Sequence, residues 1–229
     1  MIDWHSHILP KMDDGSRDVA ESIALLEMLG KQGVDTVAAT SHFYADNESV
    51  KRFLERRELS YQALDSAKKE GFPRVMLGAE VRYYPGISKL EGLEDLMIKG
   101  SRMLLLEMPF SHWTEYTLKE ITAIAGAGKW ELVLAHVERY LKYQNTKVWD
   151  RLLDSGVLMQ ANASFFAELG TRQKAISMLN KGYIQFIGSD AHNLATRSPK
   201  IDKAAEVISR RLGNEFLAQM SDYGYSKLL

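Results

Sequence analysis

Met1-Ile2-Asp3-Trp4-His5-Ser6-His7 opens the chain. Residues 1–4 are predicted as a short strand that ends where the histidines begin. In an extended strand, residues two apart point to the same side, so the imidazoles of His5 and His7 can reach one metal ion.

Working outward, the same arrangement recurs. Apolar runs at residues 36–40, 75–79, 103–106 and 132–135 lead into Ser41-His42, Glu80, Glu107 and His136. Two more, at 157–161 and 184–188, lead into Asn162 and into Ser189-Asp190-Ala191-His192. Helical patterns alternate with these strands. Asp18 with Glu21 resembles a capped start for a helix carrying Val19, Ile23, Leu26 and Leu29 and closing at Gly33. A polar helix is predicted over 48–70, stopped by Gly71 and Pro73, and another around 117–127. Ile201, Ala205, Ile208 and Leu212 mark a closing helix, with a short helical piece near 215–220.

Strands alternating with helices argue for parallel βαβ units. In a barrel all strand C-termini converge on one rim, whereas in an open sheet they spread along an edge. Ligand-type residues at the ends of six of the seven expected strands therefore favour a distorted seven-stranded (β/α) TIM-like barrel. No linker or low-complexity break interrupts the pattern, and residues 1–229 are read as one domain.

The candidate ligands are His5, His7, Asp13 or Asp14, His42, Glu80, Glu107, His136, Asp190 and His192. Glu80 and Glu107 each follow an apolar run, where an unpaired carboxylate is costly to bury and a cation offsets that cost. One zinc-type site uses three or four protein ligands, so nine candidates imply two or three ions. Imidazole and carboxylate donors without sulfur suit Mn, Fe or Zn.

Composition narrows the chemistry. The chain has 229 residues, 45% hydrophobic and 26% charged, as expected of a globular protein. Lys and Arg number 29 against 30 Asp and Glu, so no basic footprint argues for nucleic acid. No apolar run is long enough to span a membrane and no signal-peptide pattern is present, so a cytoplasmic location is expected. With no cysteine, disulfides, thiolate metal sites and Cys-nucleophile phosphatase chemistry are excluded.

The motifs His5-Ser6-His7, Asp14, Ser41-His42, Glu80, Glu107, His136 and Ser189-Asp190-Ala191-His192 resemble those of the PHP (polymerase and histidinol phosphatase) superfamily. Longer strings are similar to the bacterial capsular-polysaccharide tyrosine phosphatases: Ile8-Leu9-Pro10 after the His pair, Asp13-Asp14-Gly15, Gly78-Ala79-Glu80, Ala135-His136-Val137-Glu138-Arg139-Tyr140 and Asp190-Ala191-His192-Asn193. One departure is Phe43-Tyr44-Ala45, which stands where some relatives carry basic residues.

The resemblance implies a trinuclear centre in a PHP-type barrel, with manganese expected and Fe, Zn or Mg as alternatives. It assigns His5, His7 and Asp190 to one ion, Glu80 as a bridge, Glu107 and His136 to a second, and Asp14, His42 and His192 to a third. It selects Asp14 over Asp13, which spacing leaves open. The implied reaction is hydrolysis of phosphotyrosine by a metal-bound hydroxide, with the tail of a bacterial tyrosine kinase as substrate and exopolysaccharide synthesis as the process regulated. Alternatives are a histidinol-phosphate or other phosphomonoester hydrolase, an exonuclease, an amidohydrolase barrel, or a non-catalytic metal-binding module.

Arg139 and Arg197 lie just past two ligand-bearing strand ends, where a guanidinium can clamp two phosphate oxygens. Phe43, Tyr44, Tyr83, Tyr84, Phe110 and Trp113 fall in expected rim loops, and such aromatics would suit a phosphotyrosine ring. His112 is expected to be an ordinary loop histidine and Tyr225 an ordinary surface residue.

Overall fold

A computed structural model describes residues 1–229. Its strands are β1 (Ile2–Ser6), β2 (Thr36–Ala39), β3 (His42–Phe43), β4 (Arg74–Leu77), β5 (Glu80–Arg82), β6 (Met103–Glu107), β7 (Glu131–Leu134), β8 (Leu158–Asn162) and β9 (Phe186–Gly188). Its helices are α1 (Val19–Lys31), α2 (Val50–Ala67), α3 (Glu115–Gly126), α4 (Thr146–Asp154), α5 (Ala163–Ala167), α6 (Arg172–Asn180), α7 (Ile201–Leu212) and α8 (Asn214–Tyr225).

The fold is mixed α/β around a curled parallel sheet. Two ladders, β1-β2-β4 and β3-β5-β6-β7-β8-β9, contain only parallel pairs. The curl brings β9 to β1, where Asp190 N donates to His5 O at 2.8 Å and His7 N to Ala191 O at 2.9 Å.

Seven strands were expected from the sequence, and nine segments are present. The runs ending at His42 and Glu80 are each broken in two, at Thr40-Ser41 and at Gly78-Ala79. At the first break Thr40 N turns to Ser6 O, and at the second Gly78 N turns to Ala39 O. A Cβ on Gly78 would sit 2.9 Å from Ile98 Cγ1, so the kink needs a residue without a side chain. Each break aims the residues after it toward the sheet's C-terminal end.

Local chemistry accounts for the helix starts. Asp18 accepts from Glu21 N, while the Glu21 carboxylate reaches back to Arg17 N, a variant of the capping box. Ser49, Thr114 and Asn145 cap α2, α3 and α4 in the same way. The polar helix α2 is shorter than the expected 48–70, because Ser49 starts it and Lys68 is already extended ahead of the Gly71 turn. The sequence pattern did not mark α4, α5 or α6, helices of 9, 5 and 9 residues.

Alternate strand residues divide between two apolar clusters, as the period of a strand requires. Val37, Leu77, Leu104, Leu134 and Met159 join the main core of 49 buried residues beneath the helices. Trp4, Ala38, Met76, Leu105, Val133 and Phe186 form a second cluster of 10 on the other face. There the Tyr223 ring of α8 stacks on Phe186. No helix is long and apolar enough to cross a membrane.

Candidate metal centre

The strand C-termini carry the candidate ligands into one place. Parallel register sets His42 beside Glu80, and Arg82 beside Glu107, on neighbouring strands. The register irregularity in β1 between Asp3 and Ser6 re-aims the chain where His5 and His7 enter. His136 and Asp190 follow β7 and β9 in left-handed backbone conformations, with φ of 33° and 51°. Such conformations are costly for residues with a Cβ and persist where the surrounding structure enforces them.

Three overlapping donor groups result, each with ligand atoms within 4.8 Å of one another: His5, His7 and Asp190; His7, Asp14, His42 and His192; and His42, Glu80 and Glu107. His136 Nε2 joins the last, 2.7 Å from Glu80 Oε1 and 3.4 Å from Glu107 Oε1. Glu80 is the centre of the set. Its Oε2 lies 3.3 Å from both His5 Nε2 and His7 Nε2, and 3.0 Å from His42 Nδ1. All nine candidates are thus brought together. Of the Asp13-Asp14 pair, Asp14 faces the cluster, 3.5 Å from His42 Nε2 and 3.4 Å from His192 Nε2. Asp13 stands behind, accepting from His7 Nδ1 and from His42 N, both at 2.8 Å.

The donors fit a cation centre. His5 Nε2 and His7 Nε2 lie 3.2 Å apart with both rings fully buried, and buried His42 Nδ1 and His192 Nε2 lie 3.0 and 3.4 Å from carboxylate oxygens without the alignment of a hydrogen bond. Buried polar atoms rarely go unpartnered, and divalent cations would satisfy these. Electrostatics points the same way. Burial alone would push Glu80 up, yet His5, His136 and His42 hold it well below the usual carboxylate range. Burial works against protonated His136, but Glu107 and Glu80 raise it to about 9. Burial and the neighbouring His7 push His192 down to about 4. Protons shared among these groups are what a metal ion would displace.

Supporting residues with no ligand motif of their own in the sequence surround the set. Gln160, fully buried on β8, accepts His136 N at 2.8 Å and lies 3.1 Å from His5 Nδ1. Its amide nitrogen donates to Asn162 Oδ1, and Asn162 Nδ2 donates to Asp190 Oδ2 at 2.8 Å. Asp3 accepts from Ser189 N at 2.7 Å, tying β1 to the Asp190 turn. The only sequence signal was that polar Gln160 and Asn162 interrupt or end an otherwise apolar strand run.

Both arginines converge on Asp190: Arg139 Nη2 bonds Oδ2, and Arg197 Nη2 lies 2.8 Å from Oδ1. The rim aromatics separate. Phe43, Tyr83 and Trp113 are buried in the core, whereas Phe110 is 47% exposed. His112 lines an adjacent cavity of about 660 Å³ and meets Tyr143 edge-on, away from the donor set.

A family model for capsular polysaccharide synthesis proteins, CpsB/CapC, matches residues 1–229. The chain belongs to the CpsB/CapC family. Among its relatives, the tyrosine-protein phosphatase YwqE of Bacillus subtilis is 32% identical over 223 residues, covering 94% of this chain and 86% of that protein. The tyrosine-protein phosphatase CpsB of Streptococcus pneumoniae is 32% identical over 234 residues, covering 93% and 91%. A crystal structure from work on those two proteins, described as unique metal-dependent tyrosine phosphatases, superposes with a TM-score of 0.84 at 26% identity, over 97% of this chain and 92% of that one. A chain of archaeal ribonuclease P shares the fold at 12% identity, with a TM-score of 0.59.

Proposed function

We propose that this CpsB/CapC-family chain is a metal-dependent tyrosine-protein phosphatase. The observation that carries the proposal is the convergence of five imidazoles and four carboxylates, all from strand C-termini and the loops after them, beside two guanidinium groups. Family membership and the similarity to phosphatases over most of both chains support it. The seven expected strand runs are read as a distorted barrel closed between β1 and β9, forming one domain.

His5, His7, Asp14, His42, Glu80, Glu107, His136, Asp190 and His192 would hold two or three divalent cations, manganese first among them. When bound, such ions supply Lewis acidity and an activated water for in-line attack at phosphorus. Arg139 and Arg197 reach the same face through Asp190. With Asp190 held by a cation, their guanidinium forks would be available to bind phosphoryl oxygens and orient the ester. Hydrolysis is read as direct, in keeping with a chain that has no cysteine to form a cysteinyl-phosphate intermediate. The natural substrate is read as the phosphorylated tail of a bacterial tyrosine kinase controlling capsule synthesis, which would place the enzyme in the cytoplasm.

The test is hydrolysis of a phosphotyrosine peptide beside histidinol phosphate, after chelation and after Mn, Zn or Mg is restored. Peptide turnover that returns with metal supports the proposal. Preference for histidinol phosphate would move the protein to small-molecule chemistry, and metal-independent turnover would refute the site.

A further inference from the structure

Phe110 is an unusual residue to leave open. It follows β6 by three residues, and its ring is 6.0 Å from the His136 ring and 5.7 Å from the Tyr140 ring, stacked on the latter at 26°. Those contacts occupy one side, yet 47% of the residue is exposed. Its chain neighbours Pro109 and Ser111, with Arg82, line the adjacent cavity of about 660 Å³. Across the donor set, Tyr44 stacks on His42 at 5.3 Å and carries the Arg82 guanidinium 5.5 Å from its ring centre. His42 and His136 both touch Glu80, so the two aromatics flank the central carboxylate from opposite imidazoles.

We propose that the open face of Phe110 is the platform for the phenyl ring of an aryl phosphate, with the Tyr44–Arg82 stack as the facing wall. The inference rests on the phosphatase reading and adds the residue that selects an aromatic ester. A phosphoryl group held by Arg139, Arg197 and the donor set must project its ester oxygen outward past His136. A phenyl ring on that oxygen then meets Phe110, whereas a seryl or methyl ester is too short to do so. Offset or edge-to-face ring pairs add to area burial, so the platform discriminates between esters without touching phosphorus. The other five rim aromatics either lie in the core or, like Tyr44 and Tyr84, are half-buried against neighbouring groups.

Direct calorimetric binding of benzylphosphonate, whose methylene stands in for the ester oxygen, and of methylphosphonate to the metal-loaded protein tests this. Both probes carry the same headgroup and neither is hydrolysed. Phe110→Leu keeps apolar cover over His136 but removes the ring, and Phe110→Trp restores one. The expected result is a loss of roughly fivefold to tenfold in benzylphosphonate affinity for Phe110→Leu. Methylphosphonate should hold within about twofold, and Phe110→Trp should recover the benzyl probe. Equal losses for both probes would mean that Phe110 acts only through His136, and no loss for either would remove it from the substrate path; each overturns the proposal. Failure of the wild-type protein to bind either probe, together with no phosphomonoester turnover, would instead bring down the phosphatase reading on which it stands.

Discussion

Gln160 fixes the tautomer of His5. The Gln160 oxygen accepts the backbone N–H of His136, an obligate donor, at 2.8 Å, so the atom 3.1 Å from His5 Nδ1 is an acceptor. Nδ1 therefore carries the proton, and Nε2 presents its lone pair to the centre. Asp13 does the same for His7 through its Nδ1 at 2.8 Å. The expected cost of Gln160→Ala is roughly tenfold to 100-fold in metal affinity. Competition with a calibrated chelator measures it, and wild-type affinity in the variant would sink the tautomer argument.

His136→Ala should abolish metal-dependent hydrolysis while leaving a folded chain. The imidazole stands 2.7 Å from Glu80 and 3.4 Å from Glu107. Turnover at the wild-type rate would contradict the proposed centre.

Arg139→Ala and Arg197→Ala should each act mainly through KM. Each forms a charge-assisted bond to Asp190, and a comparable bond to a phosphoryl oxygen is worth about 1.5–3 kcal/mol. That corresponds to roughly tenfold to 150-fold in kcat/KM. Lysine at either position should rescue only in part, because it lacks the planar fork. Steady-state kinetics on a phosphotyrosine peptide would expose a wrong assignment as a fall in kcat alone.

Gly188 lies under His5. A Cβ there would fall 2.5 Å from His5 Cβ and 2.8 Å from His5 N, with no flexible group able to yield. Gly188→Ala should therefore destabilise the fold by about 1–3 kcal/mol, lowering Tm by roughly 2–12 °C, and weaken metal binding with it. An unchanged melting curve would show that β1 and β9 can separate freely.

Asp3 links stability to pH. Burial pushes its carboxyl up from 3.8 to about 6, with bonds from Ser189 only partly offsetting this. Between those values the folded chain binds the extra proton. Its stabilising effect is present below the unfolded value and is lost as pH rises through about 6. In chelated protein, Asp3→Asn should flatten this slope between pH 4 and 6, and denaturant titrations across that window would reveal a wrong sign as a steeper one.

Much of the fold and site was legible in order along the chain. Each apolar run that ends in His, Asp or Glu marks a strand delivering a polar group to one end of the sheet. Burying those groups is costly without a cation. The broken runs at Thr40-Ser41 and Gly78-Ala79 were not legible, because unbroken hydrophobicity hides a kink imposed by contact with Ile98 and Ser6. Helices α4 and α6 escaped for a related reason: short and polar on one side, they take their stability from the main core that Trp149, Leu152, Ala175, Met178 and Leu179 join.

The sequence by itself determined the donor types, their order, the parallel alternation of elements and the absence of thiol chemistry. Tertiary structure decided which atoms meet. Asp14 rather than Asp13 turns toward His42 and His192, Gln160 and Asn162 take supporting positions, and Phe110 alone among the rim aromatics stands largely open. Periodicity sets which side of a strand a residue takes. Distances between side chains on different strands depend on register, curl and left-handed turns such as those at His136 and Asp190, which arise only when the strands pack.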